Sequence, residues 1–274
     1  MVDILETPPE VSLEAVKRLT RDLRNAAKNL GIREARYLVD TYYALQGFRV
    51  ASGNQYHALS KGQEPSEVVS WLVVQMETLE NQIRAVLDKW SAAQPMGEWS
   101  RNITGIGPVI SAGLLANIDI EKAPTVGHIW RFAGLDPTRK WNKGEKRPFN
   151  ASLKRLCWLI GESFVKVSNN PKDIYGHRYL QRKEYESKKN ENGDYADQAK
   201  AFLARMRKRD AKDLIKTLES GRLPQAALHA RAKRWSVKLF LSHWHAEAYR
   251  RHYGQQPPNP YPIGILGHDP SHQI

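Results

Sequence analysis

The sequence predicts an all-α fold: a helical bundle with a coiled-coil stalk, a core containing a helix-hairpin-helix, and basic C-terminal helices. Three observations carry this expectation. Seven apolar residues between Val69 and Trp90 recur at alternating spacings of three and four. Ile103-Thr-Gly-Ile-Gly-Pro108 separates two short apolar segments. The net charge of +13 is concentrated in the second half, where basic side chains interleave with apolar ones at helical spacing.

Taken in order, residues 1–62 read as an N-terminal helical region. Ser12 can cap a first helix running towards Leu30, which Gly31 ends. Ala35, Leu38, Val39, Tyr42 and Tyr43 form the stripe of a second. Tyr42 and Tyr43 suit either base stacking or a helical core. Gly62 to Pro65 is a break.

Residues 63–95 read as the stalk. Val69, Leu72, Met76, Leu79, Ile83, Val86 and Trp90 occupy the a and d positions of a heptad repeat. Two readings stay open: a hairpin with the preceding helix, or pairing between two copies of the chain.

Residues 96–170 read as the core. Gly105 and Gly107 sit where a tight reversal needs positive φ or close backbone approach. Pro108 suits the first turn of the next helix. With Thr104, these glycines would offer backbone N–H groups to an anion beside a helix start. A plain turn between core helices fits the hairpin equally well. The residues that follow favour phosphate. Thr125 can cap a short helix from Val126 to Ala133. Residues 138–147 then hold five basic side chains and one acid around Trp141. Asn150 can cap a helix with the stripe Leu153, Leu156, Cys157, Ile160 and Phe164. Arg139, Lys140, Lys143, Lys146, Arg147, Lys154 and Arg155 thus place seven cations within seventeen residues. Cations at a helix start oppose its dipole unless an anion sits there too.

Residues 171–254 read as a basic helical domain. Tyr175, Tyr179 and Tyr185 interleave with Arg178, Arg182 and Lys183, which suits a nucleic-acid backbone or an ordinary helix with tyrosines turned inward. A charged helix runs from Ala196 to Leu218. Pro224 opens a long last helix to Tyr253, with Arg231, Lys233, Arg234 and Lys238 on one flank. Residues 255–274 read as an extended tail.

Charge and composition bound the function. Residues 1–100 carry 11 basic and 13 acidic side chains, whereas residues 101–170 carry 11 and 5, and residues 171–254 carry 20 and 10. A basic second half implies an acidic partner, most often nucleic acid. The single cysteine, Cys157, excludes an internal disulfide framework and lies on an apolar stripe, as a buried structural thiol would. No zinc-finger spacing, leader-like segment or membrane-length apolar run is present, so a cytoplasmic protein is expected. His243 and His245 fall on different faces of one helix, so no metal site is expected.

Gly105-Ile-Gly-Pro-Val-Ile-Ser-Ala-Gly-Leu-Leu-Ala-Asn-Ile-Asp119, Phe132-Ala-Gly-Leu-Asp-Pro137 and Asn150-Ala-Ser-Leu-Lys154 resemble the C-terminal domain of bridge-RNA-guided, DEDD-type insertion-sequence transposases. The same stretch is similar to the Nop domain of box C/D small nucleolar RNA proteins and to the Tas proteins of tandem interspaced guide RNA systems. The resemblance covers residues 65–166. It implies a Nop-like core, dimerisation through the coiled coil, a structured guide RNA and a DNA target as partners, and a prokaryotic or phage-infected cell as setting. It also implies an RNase H-like domain and a serine nucleophile four residues before Asn150. No segment of this sequence reads as that domain, and Lys146 stands at the serine position, with Ser152 on the other side of the asparagine. The expectation is therefore a nuclease-free, RNA-guided binding protein with no cofactor, magnesium serving only as an RNA counterion. The alternatives are a divergent transposase or recombinase subunit, and a sequence-independent helix-hairpin-helix DNA binder.

Overall fold

The computed structural model describes residues 18–62, 67–139, 141–206 and 212–267, and the chain divides into two compact units, residues 1–90 and 91–274. The fold is all-α, as the sequence predicts, and all regular structure among the described residues is helical.

The first unit begins with α1 (Arg21–Ala26), capped by Thr20, whose hydroxyl accepts from the Leu23 N–H at 3.3 Å. Ser12, the expected cap, lies outside the described residues. Ala27–Asn29 tightens into a 3-10 turn, and Leu30 leaves helical geometry. Glu34 reaches back to the Gly31 N–H at 2.8 Å and starts α2 (Ile32–Lys61). Its buried residues are Ala35, Val39, Tyr42 and Tyr43, so the two tyrosines are core, edge to face at 5.2 Å.

α3 (Glu67–Ala92) runs antiparallel to α2. Arg49 Nε donates to Glu80 at 2.6 Å, Gln46 donates to the same carboxylate at 3.2 Å, and the Trp90 indole donates to the Leu30 carbonyl at 2.9 Å. Burial alone would raise the Glu80 pKa, but Arg49, Gln46 and Tyr42 together hold it below the usual carboxylate value. Along the heptad seam, Val86 and Trp90 are buried. Val69, Leu72, Met76, Leu79 and Ile83 are only half-buried, and Val68 and Val74 beside them are exposed.

The second unit contains α4 (Pro95–Arg101), α5 (Pro108–Asn117), a 3-10 turn (Ile120–Lys122), α6 (Val126–Phe132) and α7 (Ala151–Val167). After these come α8 (Tyr175–Glu191), α9 (Ala196–Leu203), α10 (Lys212–Glu219), α11 (Gln225–Tyr253) and the short α12 (Tyr261–Gly264). α11 is the spine, with α6, α7 and α8 packed along it. Segments 96–170 and 171–254 share one core here: Phe164 of α7 stacks on Tyr175 of α8 at 5.0 Å, and both meet Phe240 of α11 edge-on. Full burial of a ring such as Phe164 contributes about 1.5–3 kcal/mol. α5 lies flat on α7 because Gly113 leaves room for Leu156; a Cβ there would sit 2.8 Å from a Leu156 methyl carbon.

The expected single helix 196–218 is two helices, α9 and α10, with residues 207–211 outside the described ones. Folding back lets Ala199 and Leu218 bury in one cluster with Tyr195, Leu223 and Leu228, which a straight helix could not do. Among the described residues no helix is long and apolar enough to cross a membrane.

Candidate nucleic-acid interface

The helix-hairpin-helix forms between α4 and α5. Gly105 takes φ +91°, a conformation that favours glycine. A side chain there would meet Val167, Phe164 and Ser163 at 3.2–3.3 Å. Its carbonyl accepts from the Ser163 hydroxyl at 2.5 Å, and the Thr104 hydroxyl donates to the Lys172 carbonyl at 3.4 Å. The hairpin tip is thus fastened to the end of α7 and the loop beyond it. Gly107 corrects the expectation: its φ is −84°, and no atom would crowd a Cβ there. It is an exposed N-cap ahead of Pro108, which occupies the first turn as expected.

The basic segment is a closed excursion between α6 and α7. Gly134, at φ +66°, ends α6 and lets the Leu135 N–H return to the Trp130 carbonyl at 2.8 Å. The Asp136 carboxylate accepts from the Thr138 N–H and hydroxyl at 2.9 and 2.7 Å. At the far end the Asn150 N–H donates to the Phe132 carbonyl at 2.8 Å, pinning the two ends together. Asn150 also caps α7, its side-chain oxygen accepting from the Leu153 N–H at 2.8 Å. That oxygen is thereby engaged in the fold.

Inside the excursion Gly144, at φ +90°, makes a turn closed by the Glu145 N–H on the Asn142 carbonyl. The Glu145 carboxylate accepts from Asn142 twice, at 3.0 and 3.1 Å, and these bonds hold its pKa below the usual value. The Trp141 indole donates to the Glu145 carbonyl at 2.9 Å. Trp141 is 48% exposed and meets Phe149 edge-on at 6.0 Å. The Arg147 guanidinium lies 5.3 Å from the Trp141 ring, and the Lys154 ammonium 4.1 Å from Phe149. Arg139, Lys143 and Lys146 are exposed and make no ion pair or hydrogen bond among the described residues. Arg155 is exposed on α7. Lys140 lies outside the described residues.

The cations of α11 behave differently and correct the reading of one basic flank. Arg231 donates to the buried Glu186 at 2.9 Å and to Gln198 at 3.1 Å, and lies 4.5 Å over Tyr195. Lys233 pairs with Glu162. Lys238 sits 4.1 Å over the Trp130 ring; burial pushes its pKa down, and Asp136 opposes this. Only Arg234 of the four is exposed. The reason is packing: α11 is the spine, so its faces meet α6, α7 and α8, and each brings a carboxylate or a ring.

On α8, Tyr175 and Tyr179 are buried and reach His243 and His229 at 2.8 and 2.7 Å, so these two face inward while Tyr185 is exposed. The acids near the hairpin are locally engaged. Asp119 takes the Lys122 ammonium at 2.8 Å and caps the 3-10 turn, Asp136 and Glu145 hold their turns, and Glu162 holds Lys233. Burial pushes the Cys157 thiol up to about 12. Among the described residues no three His, Cys, Asp or Glu side chains group so as to hold a metal ion.

The geometry therefore defines a basic, all-helical protein with a helix-hairpin-helix fastened to the end of α7 and a cation-bearing loop pinned between Phe132 and Asn150. The family model of the Transposase IS116/IS110/IS902 family matches residues 100–156. That span, about a fifth of the chain, holds the hairpin, the pinned loop and the start of α7, and it makes this part of the protein transposase-related. A transposase-like, nucleic-acid-related role follows. No curated protein and no solved structure matches the chain.

Sequence reasoning passed over two aromatic residues of this surface, Phe149 and Trp158. The latter is 59% exposed on α7. The signal was present: Trp158 falls off the stripe of Leu153, Leu156, Cys157, Ile160 and Phe164 and one turn after Lys154.

Proposed function

We propose that the protein binds a structured guide RNA and presents it to DNA without cutting either, as the Tas-like and Nop-like resemblance implies. The carrying observation is the excursion closed by Phe132 and Asn150, which displays Arg139, Lys143, Lys146 and Arg147 to solvent around a half-exposed tryptophan. Cations that lack internal partners suit phosphates, and base pairing would then read sequence while the protein reads backbone. The absence of a nuclease step is supported by Lys146 at the family serine position and by the local engagement of Asp119, Asp136 and Glu162.

RNA affinity measured across salt concentration tests this. Removing one cation from a phosphate lowers the slope by about one unit, so changing Lys143, Lys146 and Arg147 to Ala should flatten it by roughly two to three units. An unchanged slope rejects the loop as the clamp. The proposed unit is a homodimer through α3, whose seam is half-buried from Val69 to Ile83 in one chain. Leu72→Glu with Met76→Glu should give monomers by light scattering. A folded, dimeric double mutant would end that reading.

The transposase match is equally compatible with a second reading, a transposase or recombinase subunit. Cleavage or strand transfer with magnesium that disappears in Ser152→Ala would establish it over the first.

A further inference from the structure

The aromatic and basic side chains continue past the loop along α7. The Arg147 guanidinium lies 5.3 Å from Trp141 and 5.8 Å from Phe149. The Lys154 ammonium lies 4.1 Å from Phe149. One turn on, Trp158 stands on the same face of α7, where residues four apart are neighbours. Lys233 of α11 lies 5.8 Å from the Trp158 ring. Lys233 and Lys183 of α8 both press down the pKa of His229, after burial, and so lie near it. The order along the surface is therefore ring, cation, ring, cation, ring, running from Trp141 to Trp158, beyond which Lys233 is paired with Glu162.

Trp158 gives this track its meaning. A large ring 59% exposed on a well-packed helix leaves more than half of its area open to solvent. A lone surface ring needs no explanation, but this one stands one turn from Lys154, an exposed ammonium whose contact is the Phe149 ring. On the Lys233 side, Glu162 takes up one charge. Exposed ring faces between cations match a chain of phosphates with free bases. A duplex presents phosphates and groove edges but keeps its base faces stacked.

We propose that Trp158 is a stacking platform for an unpaired nucleic-acid segment, which runs from the Trp141 loop along α7 towards Lys233. This rests on the nucleic-acid reading above and adds to it the single-stranded character of the ligand and a residue outside the loop.

The test uses the full chain and two labelled RNAs of equal length, an unstructured CA-repeat single strand and a blunt duplex. Trp158→Ala should weaken single-strand binding by about 5- to 150-fold, the cost of unstacking one base, by the same factor at every salt concentration. Trp158→Phe should recover most of the affinity. Duplex binding should stay within about twofold. Lys154→Ala should flatten the single-strand salt slope by about 0.7. Equal losses on both RNAs, or no loss on the single strand, would overturn the platform. If Trp158→Ala is neutral while the loop mutant still flattens the slope, the platform falls and the function stands. If the wild type binds neither RNA, the platform falls, and the function rests on the salt slope of its guide RNA.

Discussion

Residues 139–155 and residues 231–238 are both rich in cations, and the fold treats them in opposite ways. In the first stretch the backbone is closed at its base and the acid inside it, Glu145, is spent on Asn142. Arg139, Lys143, Lys146, Arg147 and Lys154 are left against rings or solvent. In the second, Arg231 and Lys233 are drawn onto Glu186 and Glu162, and Lys238 onto Trp130. A cluster of positive charge becomes a candidate binding surface only when no distant carboxylate reaches it. The difference is one of neighbours in space, and it separates charges that hold the fold from charges left exposed.

The comparison breaks most sharply at Glu186, which is 1% exposed and takes Arg182, Arg231 and Tyr195. Glu186→Gln should lower the unfolding free energy in urea by about 3–5 kcal/mol, because it leaves charges without their buried partner. A change below about 1 kcal/mol would show that the α11 arginine is not committed to the fold.

A smaller effect is expected from pH. Burial holds His243 and His245 below the usual imidazole value; Arg178 adds to this in the first and His128 in the second, where a bond to the Ala123 carbonyl opposes it. The unfolded chain therefore takes up these protons first. Stability is complete above about pH 6.5 and lost as pH falls below it, with a slope of at most about 1.4 kcal/mol per pH unit for each histidine. Glu186 differs. Burial alone would raise its pKa, but Tyr195, Arg231 and Arg182 hold it low, so its contribution persists until pH drops through the ordinary carboxylate range near 4. Urea titrations at pH 7, 5.5 and 4 on wild type and Glu186→Gln separate the two. A wild-type stability flat from pH 7 to 5.5 would contradict the histidine assignment.

Asn150→Ala should cost about 1 kcal/mol, as the loss of an N-cap does. It should weaken RNA binding only through loosening of the loop, so raising protein stability with osmolyte should restore most of the affinity. The smallest stability effects belong to Lys143→Ala, Lys146→Ala and Arg147→Ala, each within about 0.5 kcal/mol. These same changes carry the largest expected effect on the salt slope. A melting temperature that falls with the slope would erase the distinction between the two regions.

Much of the local structure was legible in order along the chain. Asn150 caps α7, Pro108 opens α5, Gly105 turns at positive φ, and the stripe from Leu153 to Phe164 is buried, because caps, turn residues and helical periodicity act over a few neighbouring positions. Gly107 was misread because φ −84° leaves no mark on the identity of a residue. The fold of residues 196–219 into two helices was also out of reach, since it depends on Leu228 beyond both. By itself the sequence determined the helical class, the basic second half and the ordered series of hairpin, loop and capped helix. Tertiary structure alone decided which cations stay exposed and which tyrosines turn inward to His229 and His243. Those outcomes depend on which distant side chains arrive at the same place, and charge pairing and burial over tens of residues leave no periodic trace in the chain.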